Sequence, residues 1–246
     1  MATNTTYTDI AYTDPINRTS VYLVLSVVLA LGIVVVHFFY SKADIHLWLN
    51  SNHTAWQDII WQYYTYVGEW VPYAVAAVLL LFRFGDGLLL LADLALSGLA
   101  AQAVKHIACT DRPYMYFAKH FPDIDLPFVD GVRLSRFFSF PSGHTTTFFV
   151  LMFVLAVIIT EAYSRRQAME KDKRHRPSGD VFCAAVCLVC FLLAAAGAYS
   201  RIYLSQHFLE DIFGGIVIGV SSTLLLLPVA SRLQVKPWWS WGLIKV

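Results

Sequence analysis

The chain has 246 residues, of which 57% are hydrophobic and 14% charged, with a net charge of +1. A water-soluble domain carries about 25% charged residues, so this composition, with a mean hydropathy of +0.56, excludes an ordinary soluble globular protein. The near-neutral balance makes no case for a nucleic-acid partner.

The N-terminal stretch is polar, with Asp9, Asp14 and Arg18 ahead of the first apolar run. That run, about 20–40, is too long for the apolar core of a cleavable signal peptide and predicts a retained spanning helix. Residues 43–66 are rich in Trp and Tyr but too polar to cross. They predict an amphipathic segment lying at the membrane interface, where aromatic rings settle. A short second span, about 70–84, carries Pro72 in its first turn, and a third covers 86–108. A polar segment, 109–142, precedes the fourth span at 143–163. A charged loop, 164–180, leads to the fifth span at 181–199, and the sixth covers 208–230. The expected fold class is therefore all-α: a polytopic membrane protein with six transmembrane helices and one interfacial segment, forming a single domain over 1–246.

The four cysteines do not form a disulfide framework. Cys183, Cys187 and Cys190 have helical spacing inside one apolar stretch, and Cys109 stands alone. No His or carboxylate beside the three completes a metal set. Gly215 and Gly219, four apart in the last span, and the run Ala194–Gly197 are small residues that suit close helix approach.

Basic residues set the orientation. Arg165, Arg166, Lys171, Lys173, Arg174 and Arg176 crowd one loop, and Arg232, Lys236 and Lys245 follow the last span. The positive-inside rule places both groups, and with six spans both termini, in the cytoplasm. The segment 109–142 and the turn around 204–207 then fall on the opposite side. The same loop also suits contact with anionic lipid.

Three polar clusters sit at span ends on that opposite side. Lys105 closes the third span, with Arg112-Pro113 shortly after. Pro141-Ser142-Gly143-His144 opens the fourth. The run Ser200–Asp211 joins the fifth to the sixth. Ionisable groups at membrane depth are costly and rarely idle. Lys105, Arg112 and Arg201 supply cations suited to phosphate oxygens. Ser142 and Gly143 stand at a helix start, where free amides and the dipole favour an anion. His207 and Asp211 are four apart, so a helix would place them one turn from each other. A carboxylate there fixes one ring nitrogen and frees the other as nucleophile. His144 has no carboxylate near it in sequence and suits the protonation of a leaving oxygen. The expected ligand is a phosphate group that needs no metal for neutralisation.

The motifs Lys-x6-Arg-Pro (105–113), Pro-Ser-Gly-His (141–144) and Ser-Arg-x5-His-x3-Asp (200–211) resemble, in order and without a missing member, the signatures of the type 2 phosphatidic acid phosphatase superfamily. The resemblance covers roughly the second half of the chain. It implies a six-helix membrane core and metal-independent, cofactor-free dephosphorylation. It also implies catalytic roles for His207, His144 and Asp211, and phosphate binding by Lys105, Arg112, Ser142, Gly143 and Arg201. Soluble vanadium haloperoxidases and acid phosphatases share the motifs, but the apolar spans argue against both.

The expected protein is a bacterial inner-membrane enzyme, active at the non-cytoplasmic face. Its substrate would be a phospholipid or glycolipid phosphate. Lipid A phosphate is favoured because the outer segment is basic, with phosphatidylglycerophosphate or undecaprenyl diphosphate as alternatives. The competing classes are a transporter, suggested by Asp93 inside the third span, and an inactive lipid-phosphate-binding protein. For Asp93, pairing with another helix is expected over a proton relay. His106 should point about 100° away from Lys105, and Glu210 should face away from the site. Residues 114–139, with Lys119, Arg133 and Arg136, form either a lid or a solvated loop.

Overall fold

The computed structural model describes residues 15–169 and 177–242. Asp9, Asp14, Lys171, Lys173, Arg174, Arg176 and Lys245 lie outside the described residues. Ten α-helices follow in chain order: α1 (Pro15–Arg18), α2 (Ser20–Phe39), α3 (Lys42–Leu49), α4 (Ala55–Tyr64), α5 (Val71–Phe82), α6 (Phe84–Ala108), α7 (Pro113–His120), α8 (Gly143–Met169), α9 (Pro177–Tyr203) and α10 (Leu209–Leu233). Two 3-10 turns, Thr65–Gly68 and Pro237–Ser240, complete the described structure. An isolated antiparallel bridge joins Asp111 to Phe137.

Five helices, α2, α6, α8, α9 and α10, are long and apolar enough to cross a bilayer. The expected second span is different. The 12 residues of α5 rise only about 18 Å, well short of a hydrocarbon core of about 30 Å. They reach spanning length only together with Ala55–Gly68, from which they bend by 45°. So part of the expected interfacial segment, α4, forms with α5 a bent pair, a broken span or a re-entrant loop. Trp56, Ile59, Ile60 and Tyr63 on α4 are exposed and present an apolar surface outward. The break falls at Glu69 and Trp70, just after the 3-10 turn Thr65–Gly68, in which Thr65 is buried.

Helix α8 is the axis. Its most apolar stretch is 78% buried, against α6, α9 and α10. Phe148, Phe149 and Phe153 are fully enclosed there with Tyr22 of α2. The Tyr22 hydroxyl donates to the Phe149 carbonyl at 3.0 Å. Helix α2 is otherwise peripheral, with Val24, Val27, Val28, Leu31 and Val35 facing out.

Lipid offers helices little hydrophobic reason to associate, so close backbone approach matters. Gly215 and Gly219 provide it between α10 and α8. A Cβ at Gly215 would lie 2.7 Å from Thr145 Cβ and 2.8 Å from the Ser142 carbonyl oxygen; one at Gly219 would lie 2.8 Å from the Thr146 carbonyl. Asp93 of α6 is fully buried and accepts from the Thr223 hydroxyl of α10 at 2.6 Å, so it pairs between helices as the sequence suggested.

Alternation of the spans gathers the C-terminal ends of α6 and α9 with the N-terminal ends of α8 and α10. At the other end, Glu161 pairs with Arg165 and accepts from Gln234 at 3.2 Å, while Arg83 pairs with Asp86 at 2.6 Å.

Candidate active site

The end of α9 builds the first part of the site. The Arg201 carbonyl accepts from the amides of Gln206 (2.9 Å) and His207 (3.1 Å). Ser205 takes a left-handed conformation, φ 51°, which reverses the chain toward α10. His207 therefore stands just ahead of α10 rather than within a helix shared with Asp211. It meets Asp211 from the turn, with Nδ1 3.2 Å from Oδ2. The same Oδ2 accepts from the Phe208 amide at 2.8 Å and the Ser139 hydroxyl at 2.5 Å. Asp211 thus caps α10 and orients His207 at once.

His207 is 1% exposed. Burial, then the neighbouring Arg112, Arg201 and Lys105, holds its pKa well below the usual imidazole range. The ring is neutral at neutral pH. With Nδ1 turned to the carboxylate, Nε2 carries the free lone pair.

The start of α8 builds the second part. The Ser142 amide donates to the Asp211 carbonyl at 2.9 Å, locking α8 to α10. The Ser142 Oγ caps the helix, accepting from the Thr145 amide at 3.3 Å and its hydroxyl at 2.9 Å. Of the expected anion-binding amides, Ser142's is thus already engaged. Those of Gly143 and His144 remain without an intrahelical acceptor. Lys105 Nζ lies 3.8 Å from where a Gly143 Cβ would be, so the lysine stands directly beside the start of α8.

The cations complete the third part. Arg112 is held by Nε to the Phe137 carbonyl at 3.1 Å. Its Nη1 reaches the Gln206 carbonyl at 3.3 Å and Gln206 Oε1 at 3.1 Å. Burial lowers its pKa and Asp211 opposes that. Arg201 is 6% exposed and donates from Nη1 to the Thr65 hydroxyl at 2.5 Å. Its Nε is buried without a hydrogen-bond partner among the described residues. Three cations face two imidazoles and one buried carboxylate, an excess of positive charge that an anion would relieve. All eight residues expected at the site fall in this one neighbourhood.

Four residues that the sequence did not single out support it. Ser139 and Thr65 hold Asp211 and Arg201 as described. Asn50 of α3 donates to the carbonyls of Ile202 (2.9 Å) and Tyr203 (2.8 Å) and to Ser205 Oγ (3.1 Å). His46 Nε2 lies 3.4 Å from the same Oγ. The available signal was His46 and Asn50, four apart on a short helix, both buried.

Among the residues weighed against the site, Glu210 pairs with Lys42 at 3.3 Å. His106 is exposed and packs edge-on to Phe138. Residues 114–139 fold over the turn, with Phe117, Leu126 and Val129 buried against Phe208, Tyr203 and Leu204. Lys119 is tied to Asp111 at 2.7 Å, whereas Arg133 and Arg136 are exposed.

The family model of the PAP2 superfamily matches residues 86–234. No curated protein sequence matches the chain. Two crystal structures share the fold. LpxE of Aquifex aeolicus has 20% identity and a TM-score of 0.57, covering 77% of this chain and 96% of its own. The first transmembrane PAP2 type phosphatidylglycerolphosphate phosphatase of Bacillus subtilis has 20% identity and a TM-score of 0.59, covering 91% of this chain and 98% of its own. At that identity the likeness is one of fold.

Proposed function

The chain belongs to the PAP2 superfamily, and on that premise we propose that it is a membrane lipid phosphatase that removes a lipid-linked phosphate through a phosphohistidine on His207. The observation that carries this reading is the buried, neutral His207, with Nδ1 on Asp211 and three cations around it.

Nε2 of His207 attacks phosphorus as the bond to the ester oxygen breaks. His144 gives its proton to that oxygen, releasing the lipid alcohol. Water then attacks the phosphohistidine, and the neutral His144 takes a proton from it. Phosphate leaves and His207 is restored. Asp211 holds the Nδ1 proton throughout. Lys105, Arg112 and Arg201 bind the equatorial oxygens with the Gly143 and His144 amides, and the Ser142 hydroxyl proton is available to one of them. Preorganised donors of this kind stabilise the developing charge, so no metal is required.

The site belongs on the non-cytoplasmic face of a bacterial inner membrane, with both termini cytoplasmic. Arg165, Arg166, Arg232 and Lys236 support this, since the first three lie near the C-terminal ends of α8 and α10 and Lys236 follows α10. A lipid A phosphate is the proposed substrate, because Arg133 and Arg136 are exposed on the segment covering the site and suit a large anionic headgroup.

Phosphate release from a panel of lipid A, phosphatidylglycerophosphate and undecaprenyl diphosphate tests this, with EDTA present and His207→Ala as control. We expect metal-free turnover, fastest on lipid A, and an acid-labile phosphoenzyme after rapid quench. Loss of activity in EDTA, or no phosphoenzyme, overturns the mechanism; preference for another lipid overturns the substrate.

A further inference from the structure

The 3-10 turn Thr65–Gly68, between α4 and α5, meets the site through two residues. Thr65 accepts from Arg201. The Gly68 carbonyl accepts from the Thr147 hydroxyl of α8 at 2.5 Å. Gly68 also lies so close to the enclosed Phe148 that a Cβ would meet its ring at 2.5 Å. The residue that follows is Glu69, whose amide donates to the Tyr66 carbonyl at 3.0 Å. Its backbone is therefore pinned against the first turn of α8. Its carboxylate reaches back to His144, with Oε2 3.9 Å from Nε2. The Glu69 side chain is 43% exposed and that of His144 28%, so the pair stands at the mouth of the site.

The other charged groups around His144 are cations. Lys105 comes from α6, Arg112 from the residue before α7 and Arg201 from α9, with the neutral His207 ring in the turn before α10. Asp211 is engaged by His207, Ser139 and Phe208. An imidazolium next to three cations is disfavoured. A general acid must nevertheless hold its proton when the ester bond breaks. The bound phosphate dianion supplies part of the counter-charge, but it lies on the cation side. Glu69 supplies negative charge beside the ring itself, at 3.9 Å, and its carboxylate also acts on Arg201.

We propose that Glu69 is a positioning residue for the acid step, its carboxylate favouring the protonated form of the His144 ring. The inference rests on the reading of His144 as the acid. The balance of the reaction is unchanged: Glu69 stays ionised, His144 delivers its proton to the departing alkoxide, and the proton returns from the attacking water. The 45° bend of the pair then has a chemical use, since an unbroken helix would carry residue 69 along the axis and away from α8.

Glu69→Gln keeps the shape and removes the charge. The test compares a short-chain alkyl phosphate, whose alkoxide needs a proton to leave, with 4-nitrophenyl phosphate, whose phenolate does not. We expect kcat for the alkyl substrate to fall about tenfold or more, a part of the 10²–10⁴ that general acids supply. The aryl substrate should change less than threefold, on the order of experimental scatter against that range. A carboxylate favours the protonated ring, and its loss favours the neutral one. The alkaline limb of kcat should accordingly move to lower pH by about one unit. Glu69→Asp retains the charge and should recover most of the alkyl turnover. Equal loss on both substrates with an unmoved alkaline limb, or no loss on either, overturns the proposal. His144→Asn in the same comparison separates the two levels. If it shows no alkyl-over-aryl discrimination, the acid role of His144 fails. If it discriminates and Glu69→Gln does not, only the Glu69 inference fails.

Discussion

Replacing Gly215 by Ala tests whether the contact between α10 and α8 sets the geometry of the site. The new Cβ would stand 2.7 Å from Thr145 Cβ, 2.8 Å from the Ser142 carbonyl and 2.9 Å from Thr145 Cγ2. Carbon atoms settle at about 3.5 Å or more, so the start of α8 must withdraw by roughly 0.8 Å. Overpacking of this kind costs about 1–3 kcal/mol. The Ser142 amide to Asp211 carbonyl bond, now 2.9 Å, spans the same gap and would weaken, adding about 1 kcal/mol. Gly143 and His144 ride on the displaced turn, while His207 stays with α10. A displacement near 1 Å costs on the order of 10²-fold in rate. Thermal unfolding in detergent should fall by several degrees, roughly 2–4 °C per kcal/mol at this chain length, and kcat should fall about 10²-fold. Gly98→Ala is the control, because its Cβ would meet nothing within 4 Å and a helical Gly→Ala change gains up to about 1 kcal/mol. If Gly215→Ala behaves like Gly98→Ala in both assays, the close approach does not set the site.

Three further outcomes follow from the geometry. Ser139→Ala removes the 2.5 Å donor from Asp211; kcat should fall about tenfold, the rate equivalent of the roughly 1–1.5 kcal/mol one hydrogen bond supplies, with KM unchanged. Unaltered kcat would show that Asp211 does not need it. Asp93→Asn keeps an oxygen for Thr223 and removes a buried charge, so activity should be retained with unfolding temperature unchanged or higher; a folded but inactive variant would revive a proton role. His46 is buried and its pKa is lowered by that burial to about 4, against a smaller opposing effect of Asp211. Above pH 6.5 both folded and unfolded forms are neutral and stability is unaffected. As pH falls from 6.5 to 4 the unfolded chain binds a proton that the folded one refuses, costing roughly 3 kcal/mol. Below 4 the loss is constant. His46→Gln should flatten the unfolding temperature over that window, and an unchanged slope would assign the acid sensitivity elsewhere.

The motif residues were legible because each lies at a span end, and alternation of apolar runs is enough to bring such ends together. Asp211 was legible as the partner of His207, and position three of a helix lets the same carboxylate cap α10. The turn at 204–207 was placed only by the apolar runs around it, and its form was not legible, because a left-handed Ser205 reverses the chain without any Gly or Pro to mark it. Thr65, His46 and Asn50 were hidden for another reason. They sit in a segment whose Trp and Tyr content reads as interface, and a single buried Thr leaves no periodic trace. The commitment of the Ser142 amide to Asp211 depends on how α8 and α10 dock, which no local pattern encodes.

The burial of α8 has a consequence for the solvent the protein lives in. A helix shielded on nearly every side by α6, α9 and α10 does not feel lipid tails directly. Changes in bilayer thickness act on the outward faces of α2 and the bent pair, where tilt can absorb mismatch. The helix that carries Gly143 and His144 is referenced to neighbouring protein instead. Its chemistry is thereby insulated from membrane composition, and the same reaction geometry can be kept while the surrounding lipid varies.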